Sequence, residues 1–145
     1  MNLTIEEALR KGVEAHKFGQ VQEADKYYTA ILKAQPNHPD ANHNMGVLAV
    51  GIGKVAEAIP FFKKALETND TIVQFWVSYI DALIRLDQFE EAQKLLDQAE
   101  VKGFEGDYFD QIKKRIMSYQ DILNERPIKD PPTDQLQSLI NHYDM

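Results

Sequence analysis

The chain has 145 residues, of which 43% are hydrophobic and 27% charged, and a formal net charge of −7. That length suits one domain able to bury a real core, and the composition excludes wholesale disorder. The acidic balance argues against nucleic acid or an anionic membrane surface as the main partner, and the absence of cysteine excludes disulfides, thiolate catalysis and cysteine-ligated zinc.

Start and stop signals place the elements. Thr4-Ile5-Glu6-Glu7 reads as a capping box opening a helix over 5–17, and Gly19 ends it. A second helix is expected over 21–34, with Pro36 behind it, and a third over 39–51 with Pro39 as its first residue. The fourth, over 55–68, contains Pro60, which removes a backbone donor and should bend it locally. Two more follow at 73–86 and 89–101, after which Gly103 and Gly106 break the chain. A longer helix over 107–124 carries Phe109, Ile112, Ile116, Tyr119 and Leu123 at alternating spacings of three and four, leaving its other face polar. Arg126-Pro127 and Asp130-Pro131-Pro132 then mark a stiff linker, beyond which Leu136, Leu139, Ile140 and Tyr143 share one helical face.

One signature recurs through these elements. Gln20-Val21-Gln22-Glu23-Ala24 returns as Lys54-Val55-Ala56-Glu57-Ala58 and as Gln88-Phe89-Glu90-Glu91-Ala92, each 34 residues after the last. The same offset pairs Gly12 with Gly46, Ala15 with Ala49 and Gly19 with Gly53; Tyr28 falls on Phe62 and Leu96, and Ile31 on Ala65 and Ala99. Small residues belong where two helices approach closely, and the large apolar residue one turn beyond each alanine belongs in the next layer.

This period and pattern resemble the tetratricopeptide repeat, a helix–turn–helix unit that buries its apolar face only by stacking on a neighbour. The resemblance covers units 5–38, 39–72 and 73–106, with gaps. Only the third unit has the leading tryptophan, Trp76; that unit has Ile80 in place of glycine and Asp87 in place of Gly19 and Gly53; only the first closes with proline, Pro36. The resemblance implies an all-α fold, a right-handed α-solenoid of three helix pairs with a capping helix over 107–124. Residues 1–126 would form the repeat domain, and 127–145 a linker and short helix that reads as a truncated fourth repeat or a docking tail.

Chemistry is weakly signalled. His38 and His43 are five residues apart across a turn and a helix start, not the four-residue helical pair that places two ligands on one face, and His16 and His142 have no nearby partners, so no metal site is expected. The adjacent carboxylates Glu6-Glu7 and Glu90-Glu91 point apart on a helix and cannot form an acid/base pair. No glycine-rich phosphate loop is present, Lys113-Lys114-Arg115 reads as a solvated face, and no catalytic constellation or cofactor is expected.

The resemblance also implies a concave face lined by the first helix of each unit. Carried over by position, its members are Leu9, Arg10, Val13, His16 and Lys17 in the first unit, His43, Asn44, Val47 and Val50 in the second, and Val77, Ser78, Asp81, Ile84 and Arg85 in the third. Asn44 precedes Met45-Gly46, where the family commonly hydrogen-bonds a peptide backbone; its amide offers both donor and acceptor. Asn44 reads equally as a partly exposed helix residue, and both readings stand on sequence alone. Leu9 and Val13 occupy places that a terminal-carboxylate clamp fills with polar groups, which speaks against such a clamp.

The function expected is a non-catalytic module binding a protein or peptide, without nucleic acid or membrane. The start of the chain does not read as a signal peptide, and no apolar run reaches the roughly 18 residues of a membrane span, so the cytoplasm is the expected compartment. Two alternatives are the N-terminal region of a larger glycosyl- or sulfotransferase, and a scaffold that self-assembles into a homo-oligomer through residues 127–145.

Overall fold

The structure, a computed structural model, describes residues 2–125. The expectations for the linker and for Leu136, Leu139, Ile140 and Tyr143 lie outside the described residues. Seven helices and no strand are found among those described: α1 (Ile5–Lys17), α2 (Val21–Ala34), α3 (Pro39–Gly51), α4 (Val55–Thr68), α5 (Val73–Arg85), α6 (Phe89–Val101) and α7 (Asp107–Glu125). Only the ends of α5 and α7 differ from the sequence reading, each by one residue.

Local chemistry accounts for the helix ends. Thr4 Oγ1 accepts the Glu7 backbone N–H at 3.1 Å, while the Glu7 carboxylate takes the Thr4 hydroxyl at 3.2 Å rather than reaching the cap backbone. At α3 the cap is His38, whose Nδ1 accepts from the Ala41 N–H at 3.1 Å with Pro39 in the first turn. The first helix of each pair ends in the same turn. Gly19 and Gly53 adopt φ of 73° and 82°, and the N–H of the following residue returns to the carbonyl of Ala15 or Ala49 at 2.8 Å. In the third pair Asp87 takes that left-handed place at φ 58°, a conformation that aspartate tolerates better than most residues, with Gln88 bonded to Leu83 at 2.9 Å. α4 runs unbroken through Pro60, whose ring is exposed.

The chain divides into two units between Phe104 and Glu105. In the first, successive helices pack on each other, and α1 also touches α3 as α3 touches α5. The second helices α2, α4 and α6 do not touch one another. The first helices therefore form a continuous inner wall and the second helices an outer, more widely spaced row. α3 has neighbours on nearly every side, so Ala41, Asn42, His43, Met45, Gly46 and Leu48 are all buried.

The repeat code maps directly onto this core. Ala24, Ala58 and Ala92 are completely buried, as are Tyr28, Phe62 and Leu96 to within 1%. A Cβ on Gly12 would lie 2.6 Å from the Tyr28 ring, and one on Gly46 would collide with the Phe62 ring, so each glycine is the seat for an aromatic face. The third pair reverses the sizes: Ile80 replaces the glycine and Leu96 the ring, and both are fully buried. Ala58→Trp should therefore disrupt folding, because overpacking costs about 1–3 kcal/mol and more where nothing can yield. Lys54 is exposed with no side-chain capping bond, so Lys54→Ala should stay within about 0.5 kcal/mol. Thermal melts of the two variants check the register.

In the second unit, Phe109, Ile112 and Ile116 of α7 are buried, Tyr119 and Leu123 half-buried, and Met117 and Ile122 exposed. The alternating spacing read from sequence thus does define a buried stripe on that helix.

Candidate functional site

The inner wall brings the first helices side by side, and the candidate residues divide by access. Arg10, Val13 and Lys17 on α1 and Arg85 on α5 are exposed. Leu9, His16, Asn44, Val47, Val50, Val77, Ser78 and Asp81 are half-buried, and His43 and Ile84 are buried. Leu9 packs into the cluster of Ala15, Tyr28 and Met45, while Val47 and Val50 pack around Ala58, Phe62 and Ala82. Much of the apolar character expected of this face is therefore spent inside the array. Arg85 Nε holds Asp81 Oδ2 at 2.8 Å, a pair one helical turn apart.

The centre of the wall is a connected polar chain. His43 Nε2 lies 2.8 Å from Ser78 Oγ, and His43 Nδ1 lies 3.2 Å from Asn44 Oδ1. An amide oxygen only accepts, so Nδ1 carries the imidazole proton and the Ser78 hydroxyl donates to Nε2. The Ser78 oxygen is then free to accept from Gln74 Nε2, 3.1 Å away. The Asn44 side chain also bonds the Tyr28 hydroxyl. Three helices, α2, α3 and α5, are tied through one imidazole and one amide. Asn44 accordingly supports the array before it meets any ligand.

The His43 ring stacks on Phe75 with centroids 4.8 Å apart and tilts against Phe62 at 5.7 Å. Burial disfavours the imidazolium and lowers its pKa below the ordinary 6.5, against the opposing pull of the Asn44 bond and the Asp40 charge. A base depressed in the folded state makes the unfolded chain the better proton acceptor. The stabilising contribution is thus intact above about pH 6.5 and drains away as pH falls toward the folded value. In an NMR titration we expect His43 to titrate below that value, with a matching loss of stability on acidification. A His43 midpoint at or above 6.5 would contradict the buried neutral ring.

Sequence reasoning did not find Tyr28, Gln74 or Phe75 as members of this network, nor the role of Asn42. Asn42 donates to the carbonyls of Pro36 and His38, at 3.1 and 2.9 Å. One period later Trp76 Nε1 donates to the Asp70 carbonyl at 2.8 Å. Asn42 and Trp76, like Pro36 and Asp70, are 34 residues apart, so two different side chains make the same inter-pair staple. That coincidence was the available signal.

Among the described residues no group of three His, Asp or Glu side chains could hold a metal ion, and His38 serves as a helix cap. Among them no helix is long and apolar enough to cross a membrane.

Residues 49–108 match the family model described as Tetratricopeptide repeat. No curated protein matches the chain. Among solved structures, the Arabidopsis OM64 TPR domain is 20% identical, with a TM-score of 0.71 over 79% of this chain and 95% of that one. The TPR2B domain of yeast Sti1, solved as a complex with pHsp70, is 25% identical with a TM-score of 0.69, over 79% and 97%. The first TPR of Spaghetti (RPAP3), bound to the HSP90 peptide SRMEEVD, is 22% identical with a TM-score of 0.70, over 81% and 95%.

Proposed function

Since the chain is a tetratricopeptide-repeat protein, we propose that it is a non-catalytic interaction module whose inner wall holds a peptide segment of a partner protein. The observation that carries this reading is the wall itself. Arg10, Val13 and Lys17 stand exposed on α1, which packs on α3 with its half-buried Asn44, and α3 in turn packs on α5 with its half-buried Ser78 and Asp81. Polar groups already held by neighbours bind at low entropic cost, because their rotamers are set before the ligand arrives. The peptide complexes of the Sti1 and RPAP3 domains lend this reading support by likeness of fold.

The side chains to test are the exposed ones, because they can be removed without touching the core. A peptide array should yield a preferred ligand, and the double variant Arg10→Ala/Lys17→Ala should keep the parent melting temperature. Hydrogen bonds to charged groups are worth about 1.5–3 kcal/mol, so its affinity for that ligand should fall roughly ten- to a hundredfold. Asn44→Ala is the wrong first test, since it also removes the partner of the Tyr28 hydroxyl and of His43 Nδ1. If the double variant binds as tightly as the parent, the ligand does not lie along α1 and the assignment of the wall fails.

A further inference from the structure

The polar chain at the centre of the inner wall runs from the core to the surface. His43 is buried, Ser78 half-buried and Gln74 exposed. Gln74 and Ser78 are four residues apart on α5 and share one face of it. Each link also has a direction. With the imidazole proton held on Nδ1 by the Asn44 oxygen, the single Ser78 proton points inward to Nε2 at 2.8 Å. Toward the wall the hydroxyl therefore shows only lone pairs, and Gln74 meets one of them with an amide N–H at 3.1 Å.

A second proton on the ring reverses half of this chain. An imidazolium donates from both nitrogens. Asn44 keeps its bond from Nδ1–H, so the amide that also holds Tyr28 stays in place. Nε2–H now donates to Ser78 Oγ, and the serine proton has to leave that line. Its remaining partner is Gln74, which is aiming a donor at the same oxygen. Half a turn of the exposed Gln74 amide presents its oxygen instead and needs no backbone movement. One proton is taken up from water, no covalent bond breaks between heavy atoms, and the site gains one positive charge.

We propose that His43 sets the hydrogen-bonding polarity of the inner wall: a neutral ring makes Ser78 an acceptor on the wall side and a charged ring makes it a donor, with the Gln74 amide turning to match. The surroundings of the ring bear on which state is populated. α3 itself brings Asp40, whose charge favours the imidazolium. α4 and α5 bring the uncharged rings of Phe62 and Phe75, and Tyr28 of α2 reaches His43 through Asn44. α1, which also packs on α3, carries Arg10, His16 and Lys17, none of which contributes to the titration of His43. Burial is the largest influence and favours the neutral ring. A ligand would tip this balance by its chemistry. A carbonyl or carboxylate that takes the Ser78 proton favours the charged ring, and an N–H that donates to Ser78 favours the neutral one, because linkage is reciprocal. That consequence rests on the inner wall being the binding face, whereas the relay is tested without any ligand.

The experiment is nitrogen NMR of the full chain as a function of pH. We expect the imidazole shifts to place the proton of the neutral ring on Nδ1, and the Gln74 side-chain amide to move with the same midpoint as His43. Ser78→Ala cuts the relay, so the Gln74 amide should then be silent while His43 titrates. Gln74→Glu supplies only acceptors, so Ser78 has to donate to it and the His43 midpoint should rise. In the Ser78→Ala background most of that rise should be lost. Because Gln74→Glu raises the midpoint, it keeps the titration readable if the parent unfolds in acid before its ring is charged. A neutral ring protonated on Nε2, a Gln74 amide that stays silent through the parent titration, or a rise equal with and without Ser78 would each overturn the proposal, the last by showing that charge acts through space. A relay that passes while Arg10→Ala/Lys17→Ala leaves peptide binding unchanged would stand without the peptide reading, so the two fail separately.

Discussion

Phe62→Ala should remove about 3–5 kcal/mol of stability, a large share of the roughly 5–15 kcal/mol typical of a whole domain. The ring is 1% exposed, lies on Gly46 of α3, tilts against His43 and shares a cluster with Ala58 of α4 and Ala82 of α5. It therefore joins two successive repeats, and an array held by nearest-neighbour contacts has no distant reserve to replace it. Truncation leaves a cavity bounded by the Gly46 backbone and the His43 ring, neither of which can move in to close it. It also strips one aromatic neighbour from His43, so the polar chain to Ser78 should loosen. Chemical denaturation should rank stability in the order parent, Phe62→Leu, Phe62→Ala, with leucine costing well under half as much as alanine. A drop of less than about 1.5 kcal/mol for alanine, below the range for such truncations, would mean that the ring is not the link between repeats.

One substitution should have opposite signs at two places in α3. Gly46→Ala puts a Cβ 2.6 Å from Phe62 Cδ1 and 2.9 Å from Cζ, distances that real Cβ contacts do not show. Phe62 is enclosed and cannot swing aside, so the clash falls on the α3–α4 crossing. Overpacking of about 1–3 kcal/mol or more outweighs the roughly 1 kcal/mol that alanine gains over glycine in a helix. Gly51, at the end of the same helix, has nothing within 4 Å of its would-be Cβ and lacks a positive φ. There only the propensity gain remains, so Gly51→Ala should raise the melting temperature by a few degrees. Gly12→Ala should behave like Gly46→Ala, since its Cβ would meet the Tyr28 ring at 2.6 and 2.9 Å. Melts of the three variants test this in one experiment. A destabilised Gly51→Ala or a stabilised Gly46→Ala would show that the glycines are not seats for the rings.

Much of this architecture was legible in the residues. The 34-residue offset that aligned Ala24, Ala58 and Ala92 selected residues that are completely buried, and it marked Gly12 and Gly46 as places of close approach, but it assigned Tyr28 and Phe62 to the next layer and did not show that each ring sits on the glycine of its own pair. Even the departures of the third unit were visible, although their compensation was not: Ile80 and Leu96 together fill the volume that a glycine and a ring fill elsewhere. The inner wall was less legible. Position in the repeat gave only an expectation of its members: Ile84 is buried, Leu9, Val47 and Val50 are drawn into core clusters, and Asn44 is held by His43 and Tyr28.

By itself the sequence determined the seven helices among the described residues, their pairing and the positions of the small and large core residues. Those features depend on local spacing and on a period that each unit repeats, and stacking identical units needs no information beyond the unit. The tertiary structure alone decided that His43 meets Ser78, that Asn42 and Trp76 make the same staple, and that Trp76 and Tyr79 share a cleft with Leu66 and Leu95. Each of these depends on which side chains from neighbouring repeats share one volume. A repeat reading assigns every unit the same environment, so it cannot register what happens where two unequal units meet.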